Sequence, residues 1–209
     1  MTKRTIKTAR VSDEEAVIAV VVLAFSADPA ARWAYRDPQQ YLTHFPSFVR
    51  AFGGKAFAHE SAYYVDGYGG AALWLPPEVH PDEDTLIPLL QRTVAESVHQ
   101  DLFAVFEQMG RYHPSEPHWY LPLIGVDPPH QGQGYGSALL QHALLPCDRD
   151  HTCAYLESTN PKNIPLYERH GFELLGTIQV GASPPLFPML RKPRGQDRPS
   201  PCLRVAGAV

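Results

Sequence analysis

Cysteine and net charge are both scarce in this chain, and each shortage argues against a class of protein. Only three cysteines occur among 209 residues, Cys147, Cys153 and Cys202, and none forms a CxxC pair. Such a set argues against a disulfide scaffold and favours reduced thiols inside the cell. The formal net charge is -4, so no basic field attracts nucleic acid or an anionic membrane.

Long apolar runs and metal-ligand motifs are missing too. The apolar run Val17–Phe25 is too short to cross a bilayer, and the N-terminus lacks the apolar core of a signal peptide. The histidines form no H-E-x-x-H pattern, and His113 and His118 lie in a Pro-rich loop and a strand. We therefore predict a cytoplasmic protein with no metal site and with no membrane or nucleic-acid partner.

Helical and strand-like patterns alternate along the chain, and no repeat or linker interrupts residues 1–191, which predicts one domain. Strands are predicted at 5–10, 56–65, 69–75, 119–126, 153–157, 172–180 and 186–191. Helices are predicted at 12–25, 37–53, 82–98, 102–110, 138–146 and 160–170. Ser12 fits a capping box, and Asp66-Gly67 predicts a hairpin turn. Pro46 should kink or split its helix, and Pro146 should end its helix. Residues 192–209 are predicted to be a mobile tail.

The stretch His130–Ser137 is the most informative part of the sequence. It joins the apolar strand Trp119–Val126 to a helix, and its alternate glycines let peptide N–H groups converge on an anion at the start of that helix. This pattern predicts a pyrophosphate site. A Walker A loop is excluded because no lysine follows the glycines. A dinucleotide site needs G-x-G-x-x-G early in the chain and an acidic residue about 20 positions on, which only Glu157 approaches.

Gln131, Gly134 and Gly136 fit a third pattern, [QR]-x-x-G-x-[GA], and one strand later residues 160–172 read N-x-x-N-x-x-L-Y-E-x-x-G-F. With these two motifs, residues 118–176 resemble the core of the GNAT superfamily of acetyl-CoA-dependent N-acetyltransferases. A looser likeness around residues 69–81 is to puromycin-acetyltransferase-like members. The resemblance implies an α/β GNAT fold, in which helices flank a mixed central sheet that splays open.

In such folds acetyl-CoA lies in the gap of the sheet, and the resemblance implies its contacts. The pantetheine arm pairs with the main chain of Ile124 and Val126, whose side chains are ordinary sheet core. The Val126 N–H is the implied oxyanion donor, a kind of group whose removal costs about 2.7–4 kcal/mol in other enzymes. The pyrophosphate is bound by the glycine turn, namely Gln131, Gly132, Gln133, Gly134, Tyr135, Gly136 and Ser137.

The second motif supplies further coenzyme contacts and the general acid. The resemblance places Asn160 and Asn163 near the coenzyme, although capping of the last helix explains Asn160 equally well. Pro165 lies inside that helix or marks a later start with Asn163 as its cap. Tyr167 is implied to contact the coenzyme and to donate a proton to the departing thiolate. The alternative is a core tyrosine without a catalytic role.

The general base is not fixed by the sequence. His118, Glu157, Tyr120 and Glu60 each carry a group that can take the proton of an amine, directly or through water. Aromatic residues between positions 33 and 52 either line an acceptor pocket or bury the first helices, and their helical spacing favours burial.

We therefore predict an N-acetyltransferase that moves the acetyl group of acetyl-CoA to a primary amine of a small molecule by direct attack. No cysteine falls within the two motifs, so no covalent enzyme intermediate is expected. A non-catalytic acyl-CoA-binding or regulatory module stays open, because a fold does not fix a function. A dinucleotide-dependent enzyme is the less favoured alternative.

Overall fold

The computed structural model describes residues 4–194, which contain seven β-strands. These are β1 (Ile6–Thr8), β2 (Ala62–Val65), β3 (Gly70–Leu75), β4 (His118–Val126), β5 (Cys153–Ser158), β6 (Phe172–Leu174) and β7 (Phe187–Arg191). They form one mixed sheet in the order β1-β2-β3-β4-β5-β7-β6. Within it β4 and β5 are parallel, and the other neighbouring pairs are antiparallel. Most of the predicted tail, residues 195–209, lies outside the described part of the chain.

Helices flank this sheet, as the resemblance implied. They are α1 (Glu14–Ala24), α2 (Pro29–Ala34), α3 (Pro38–Gly53), α4 (Lys55–Ala58), α5 (Glu83–Thr93), α6 (Glu96–Tyr112), α7 (Tyr135–Arg149) and α8 (Ile164–Arg169). Asp37 caps α3, since its carboxylate accepts the N–H of Gln40 at 2.9 Å. The capping box predicted at Ser12 is wrong, because the Asp13 carboxylate takes that place and accepts the N–H of Arg10 at 2.8 Å.

Pro46 does not split α3, which continues to Gly53, and the helix end predicted at Pro146 is wrong, since α7 continues to Arg149. An interior proline costs about 3 kcal/mol of helix stability. Beyond Pro46, α3 still buries Val49 and Phe52, and α7 buries Cys147 beyond Pro146. Burial of one large apolar side chain contributes roughly 1.5–3 kcal/mol, so the packing of α3 offsets the cost of its proline.

Three further differences concern strand and helix boundaries. The strand predicted at 56–65 is wrong in its first half, because 55–58 form α4. Ala56 and Phe57 are both buried in this helical turn, which follows α3 directly. The break between the helices predicted at 82–98 and 102–110 lies earlier, between α5 (Glu83–Thr93) and α6 (Glu96–Tyr112), and β6 is shorter than the strand predicted at 172–180. The hairpin turn between β2 and β3 is confirmed.

The sheet buries a separate apolar cluster on each face. The α3 face includes Phe45 and Tyr155, and the α7 face includes Leu139 and Leu156. Tyr155 and Leu156 are neighbours on β5, whose side chains alternate between the faces. Any opening between β4 and β5 therefore connects both faces of the sheet.

Cys147 and Cys153 differ in whether the sulfur is bonded. Cys147 is a buried free thiol, and burial raises its pKa to about 12. Cys153 is disulfide-bonded, so the expectation of reduced cysteines is wrong for this residue; a low cysteine count limits the number of bridges but does not exclude one. No helix within residues 4–194 is long and apolar enough to cross a membrane.

Candidate active site

Strands β4 and β5 separate part-way along their length. Their parallel pairing ends where Tyr120 lies opposite Tyr155, although β4 continues to Val126. A bulge accompanies the separation, because β4 has one residue more than β3 between Tyr120 and Leu123. A cleft of about 600 Å³ opens in the gap. The predicted splaying of the sheet is confirmed.

The main chain of Ile124 and Val126 faces this cleft. Asp127 donates its N–H to the Gly69 carbonyl, on the β3 side, at 3.2 Å. Successive residues of a strand direct their N–H and C=O groups to opposite edges. The Val126 carbonyl, on the other edge, accepts a hydrogen bond from Gln131 Nε2 at 3.1 Å. The N–H groups of Ile124 and Val126 therefore lie along the open edge of β4.

The glycine turn leads from β4 into α7 through two residues in the left-handed region. Gly132 has φ 70° and Gly134 has φ 84°, a region that costs other residues about 1–2 kcal/mol. The side chain of Gln133 donates to the Pro129 carbonyl at 2.9 Å, so it braces the turn. The first N–H groups of α7 have no partner within the helix and border the cleft, whose lining includes Tyr135, Gly136 and Ser137.

Replacing Gly134 with alanine is expected to weaken acetyl-CoA binding about tenfold, because a Cβ strains the left-handed turn by about 1–2 kcal/mol. Gly67→Ala is the matched control, since Gly67 has φ 85° in the β2–β3 turn and no atom within 4 Å of an added Cβ. Both variants should melt at a lower temperature, but only Gly134→Ala should lose affinity in calorimetry. Equal affinities in the two variants would contradict a coenzyme role for the turn.

Asn160 and Asn163 of the second motif line the cleft together with the glycine turn. Asn160 accepts the N–H of Lys162 at 3.1 Å, which is the capping role, and its side-chain amide nitrogen stays available. Asn163 stands at the N-cap of α8 without a capping bond, so the helix starts late and Pro165 belongs to its first turn. Ser137 Oγ lies 2.9 Å from His170 Nε2.

Positive side chains surround the outer end of the cleft, although the chain as a whole is acidic. Lys162 and Arg169 belong to its lining. The Arg4 guanidinium lies 4.5 Å from the centre of the Tyr135 ring, beside the glycine turn. These cations suit a ligand with several phosphate groups.

Tyr167 forms part of the inner wall of the cleft. Its side chain is buried, and its ring packs edge-on against Phe172 at 6.1 Å. Burial, and then the nearby Asp28 carboxylate, raise the pKa of Tyr167 above its usual range. The hydroxyl has no hydrogen-bond partner among residues 4–194, so it is free to donate to a ligand.

Glu157 connects the cleft to a pair of histidines. Its carboxylate is about 3% exposed, and Oε1 lies 3.4 Å from His113 Nε2. Tyr120 donates its hydroxyl hydrogen to Oε2 at 2.9 Å. His113 Nδ1 lies 3.0 Å from His118 Nε2. Sequence reasoning named His118, Glu157 and Tyr120 separately and missed His113, the residue that joins them.

The groups that can only accept hydrogen bonds determine which ring nitrogens of His113 and His118 carry a hydrogen. His118 Nδ1 is 2.8 Å from the Glu116 carbonyl, which can only accept, so Nδ1 carries a hydrogen. Burial lowers the pKa of His118, so its ring is neutral at pH 7 and its Nε2 accepts from His113 Nδ1.

The lowered pKa of His118 predicts a pH dependence of stability. The unfolded chain, with a histidine pKa of about 6.5, takes up a proton before the folded protein does. Stability should therefore fall as the pH drops below that value. His118→Gln should lose less stability than the wild type between pH 7.5 and 5.5 in urea unfolding. An unchanged pH dependence in the variant would contradict a neutral, buried His118.

Glu60 does not reach this site, because its side chain is exposed and lies outside the cleft lining. Sequence reasoning also missed Asp28 and Thr159, which lie on opposite sides of the cleft. Thr159 donates its hydroxyl hydrogen to Asp28 Oδ2. Burial raises the pKa of Asp28. The Asp28-Pro29 pair is a helix-start signal, but nothing local indicates its contact with a residue so far along the chain.

The sheet argues against the dinucleotide alternative. A doubly wound dinucleotide fold needs a mostly parallel sheet, and within residues 4–194 the one parallel pair is β4 and β5. Glu157, the acidic residue considered for a ribose, is bonded to Tyr120 inside the sheet.

Known proteins share both motifs and fold. Residues 94–174 match the family Acetyltransferase (GNAT) domain. An uncharacterized N-acetyltransferase of Schizosaccharomyces pombe is 34% identical over 83 residues, which are 38% of this chain and 34% of that protein. The match therefore spans about a third of that curated relative.

Solved structures match over nearly the whole chain. A Corynebacterium glutamicum protein described as histone acetyltransferase HPA2 and related acetyltransferase is 24% identical, with a TM-score of 0.67, over 94% of this chain and 100% of its own. A Drosophila melanogaster polyamine N-acetyltransferase is 12% identical, with a TM-score of 0.64, over 90% of this chain and 99% of its own. These structures share the overall α/β fold of this chain, and residues 94–174 match the GNAT acetyltransferase domain.

Proposed function

We propose that this protein transfers an acetyl group from acetyl-CoA to a primary amine of a small molecule. The supporting observation is the cleft between β4 and β5, which is lined by the glycine turn and Tyr167 on one side and by Glu157 and Asp28 on the other. A coenzyme and an amine that enter from opposite faces meet at the open edge of β4. The amine then attacks the thioester carbon directly, and CoA leaves with the electron pair of the C–S bond.

The α7 side of the cleft fits acetyl-CoA. The left-handed glycines of the turn leave main-chain N–H groups open to a pyrophosphate, and Lys162 and Arg169 lie nearby. The pantetheine arm adds to the free edge of β4 at Ile124 and Val126. The Val126 N–H then faces the thioester oxygen, where negative charge develops during attack.

Glu157 is the proposed base. At neutral pH nearly all of an alkylamine, with a pKa of about 10.4, is protonated, so the enzyme must remove a proton before attack. The hydrogen bond from Tyr120 positions Oε2 of the carboxylate, while Oε1 has no hydrogen-bond partner among the described residues and lies 3.4 Å from His113 Nε2. Burial and the nearby Glu157 raise the pKa of Tyr120 well above its usual range, so Tyr120 stays a donor. His113 and His118 then connect Glu157 to the more exposed end of the network.

Tyr167 is the proposed acid. Its raised pKa keeps the phenol protonated at neutral pH. A thiolate with a pKa of about 8.5 is a weaker base than a tyrosinate with a pKa of 10 or more. Tyr167 therefore stabilises the developing thiolate by a strong hydrogen bond as the C–S bond breaks, and the released CoA takes its proton from solvent.

The direct test is a screen of small primary amines that measures release of free CoA, with parallel calorimetry of acetyl-CoA and NAD. We expect CoA release with at least one amine, and binding of acetyl-CoA but not of NAD. Binding of acetyl-CoA without turnover on any amine would favour the non-catalytic module. Binding of NAD without binding of acetyl-CoA would contradict the proposal.

A further inference from the structure

A second, smaller cavity of about 100 Å³ adjoins the cleft on the α3 face. Four residues line both spaces: Phe25, Asp28, Pro122 and Thr159. Beyond them the cavity runs between α2, α3 and α6 over aliphatic and aromatic side chains, among them Ala31, Trp33, Phe45, Phe48, Val105 and Met109. The aromatic residues of 33–52 thus bury the first helices and also line a cavity, so the two expectations are not exclusive.

One carboxylate lies at the junction of the cavity and the cleft. Asp28 Oδ1 accepts the N–H groups of Ala30 and Ala31 at 3.0 Å each, and Oδ2 accepts the Thr159 hydroxyl. A carboxylate has about four acceptor positions, so one remains for an additional donor. Tyr35, also in the wall, is already bonded through its hydroxyl to Thr93 at 2.9 Å.

We propose that the acceptor is a monoamine with an apolar tail, which fills the smaller cavity. With the tail in the smaller cavity, the nitrogen of the bound amine lies beyond Asp28, in the cleft beside Glu157. This inference rests on the proposed function and adds the substrate class. An engineered apolar cavity of about 150 Å³ binds benzene, so this cavity accommodates a somewhat smaller group, such as a short alkyl chain.

The wall of the cavity disfavours amines with a second charge at the far end. An ammonium group buried among Phe45, Phe48 and Met109 would lose its water and gain no carboxylate partner there. Asp28, the acidic residue of the wall, lies at the mouth, where the reacting nitrogen passes. A diamine of the same length as a monoamine should therefore be a much poorer acceptor.

The test compares matched amines on the wild-type enzyme by CoA release. Straight-chain amines from propylamine to pentylamine should gain about fourfold in kcat/KM per methylene, the value of burying one CH₂. Pentylamine should exceed 1,5-diaminopentane, which has the same chain with a second ammonium, by at least tenfold. A diamine that matches or exceeds pentylamine would overturn the inference while the proposed function stands. Release of no CoA with any amine would remove the proposed function, and this inference with it.

Two variants change the cavity in opposite directions. Ala31→Leu fills it and should abolish the gain per methylene, whereas Phe48→Ala enlarges it and should shift the preference to longer amines. Ala19→Leu, on the exposed side of α1, is the matched control. It should keep the wild-type dependence of kcat/KM on the chain length of the amine. Thermal melting establishes that each variant is folded. An unchanged chain-length series in both cavity variants would overturn the inference.

Discussion

Replacing Glu157 with glutamine is expected to lower kcat/KM for amines by about a hundredfold or more at pH 7, with acetyl-CoA affinity unchanged. General-base catalysis contributes about 10²–10⁴-fold, and the glutamine amide cannot take a proton from an ammonium group. Its amide oxygen can still accept the Tyr120 hydrogen bond, so the variant should keep its fold. Initial rates of CoA release and calorimetry with acetyl-CoA measure the two quantities.

The pH profile separates a base from a merely structural carboxylate. Free amine becomes more abundant as the pH approaches the amine pKa of about 10.4, so the deficit of Glu157→Gln should shrink as the pH rises. Glu173→Gln removes an exposed carboxylate on β6 and should behave as the wild type throughout. A loss in Glu157→Gln that stays constant at every pH would indicate damage to positioning rather than loss of the base.

The main-chain geometry of the proposed coenzyme half could be predicted because its information is local. A left-handed turn needs glycine within a few residues of the helix that it starts, and Gly132 and Gly134 satisfy that need two positions apart in the sequence. The orientation of the Val126 main chain likewise follows from strand alternation along β4. Such features depend on neighbours in the chain, so a short motif describes them completely.

The acceptor half could not be predicted because distant segments assemble it. Asp28 and Thr159 are bonded across 131 positions of sequence, and His113 reaches Glu157 from the end of α6. Each of these residues has an ordinary local explanation, as a helix cap or a loop histidine. The same non-local packing explains why α3 continues through Pro46, since burial against the sheet outweighs the local cost of the proline.

Replacing Tyr167 with phenylalanine is expected to lower kcat by about 10²–10⁴-fold, the range for loss of a general acid, with little change in acetyl-CoA affinity. The hydroxyl borders the cleft without a protein partner among the described residues, so its removal leaves no protein group unsatisfied, and the fold should be retained. Tyr63→Phe is the matched control, because Tyr63 is buried in the same cluster on the α7 face and lies outside the cleft.

Acetyl donors with better leaving groups provide the decisive comparison. An acetyl thioester of an aromatic thiol needs less help at sulfur, so the deficit of Tyr167→Phe should shrink with it, whereas that of Glu157→Gln should not. An equal deficit with both donors would contradict a role for Tyr167 at the departing sulfur and would leave it as a core residue.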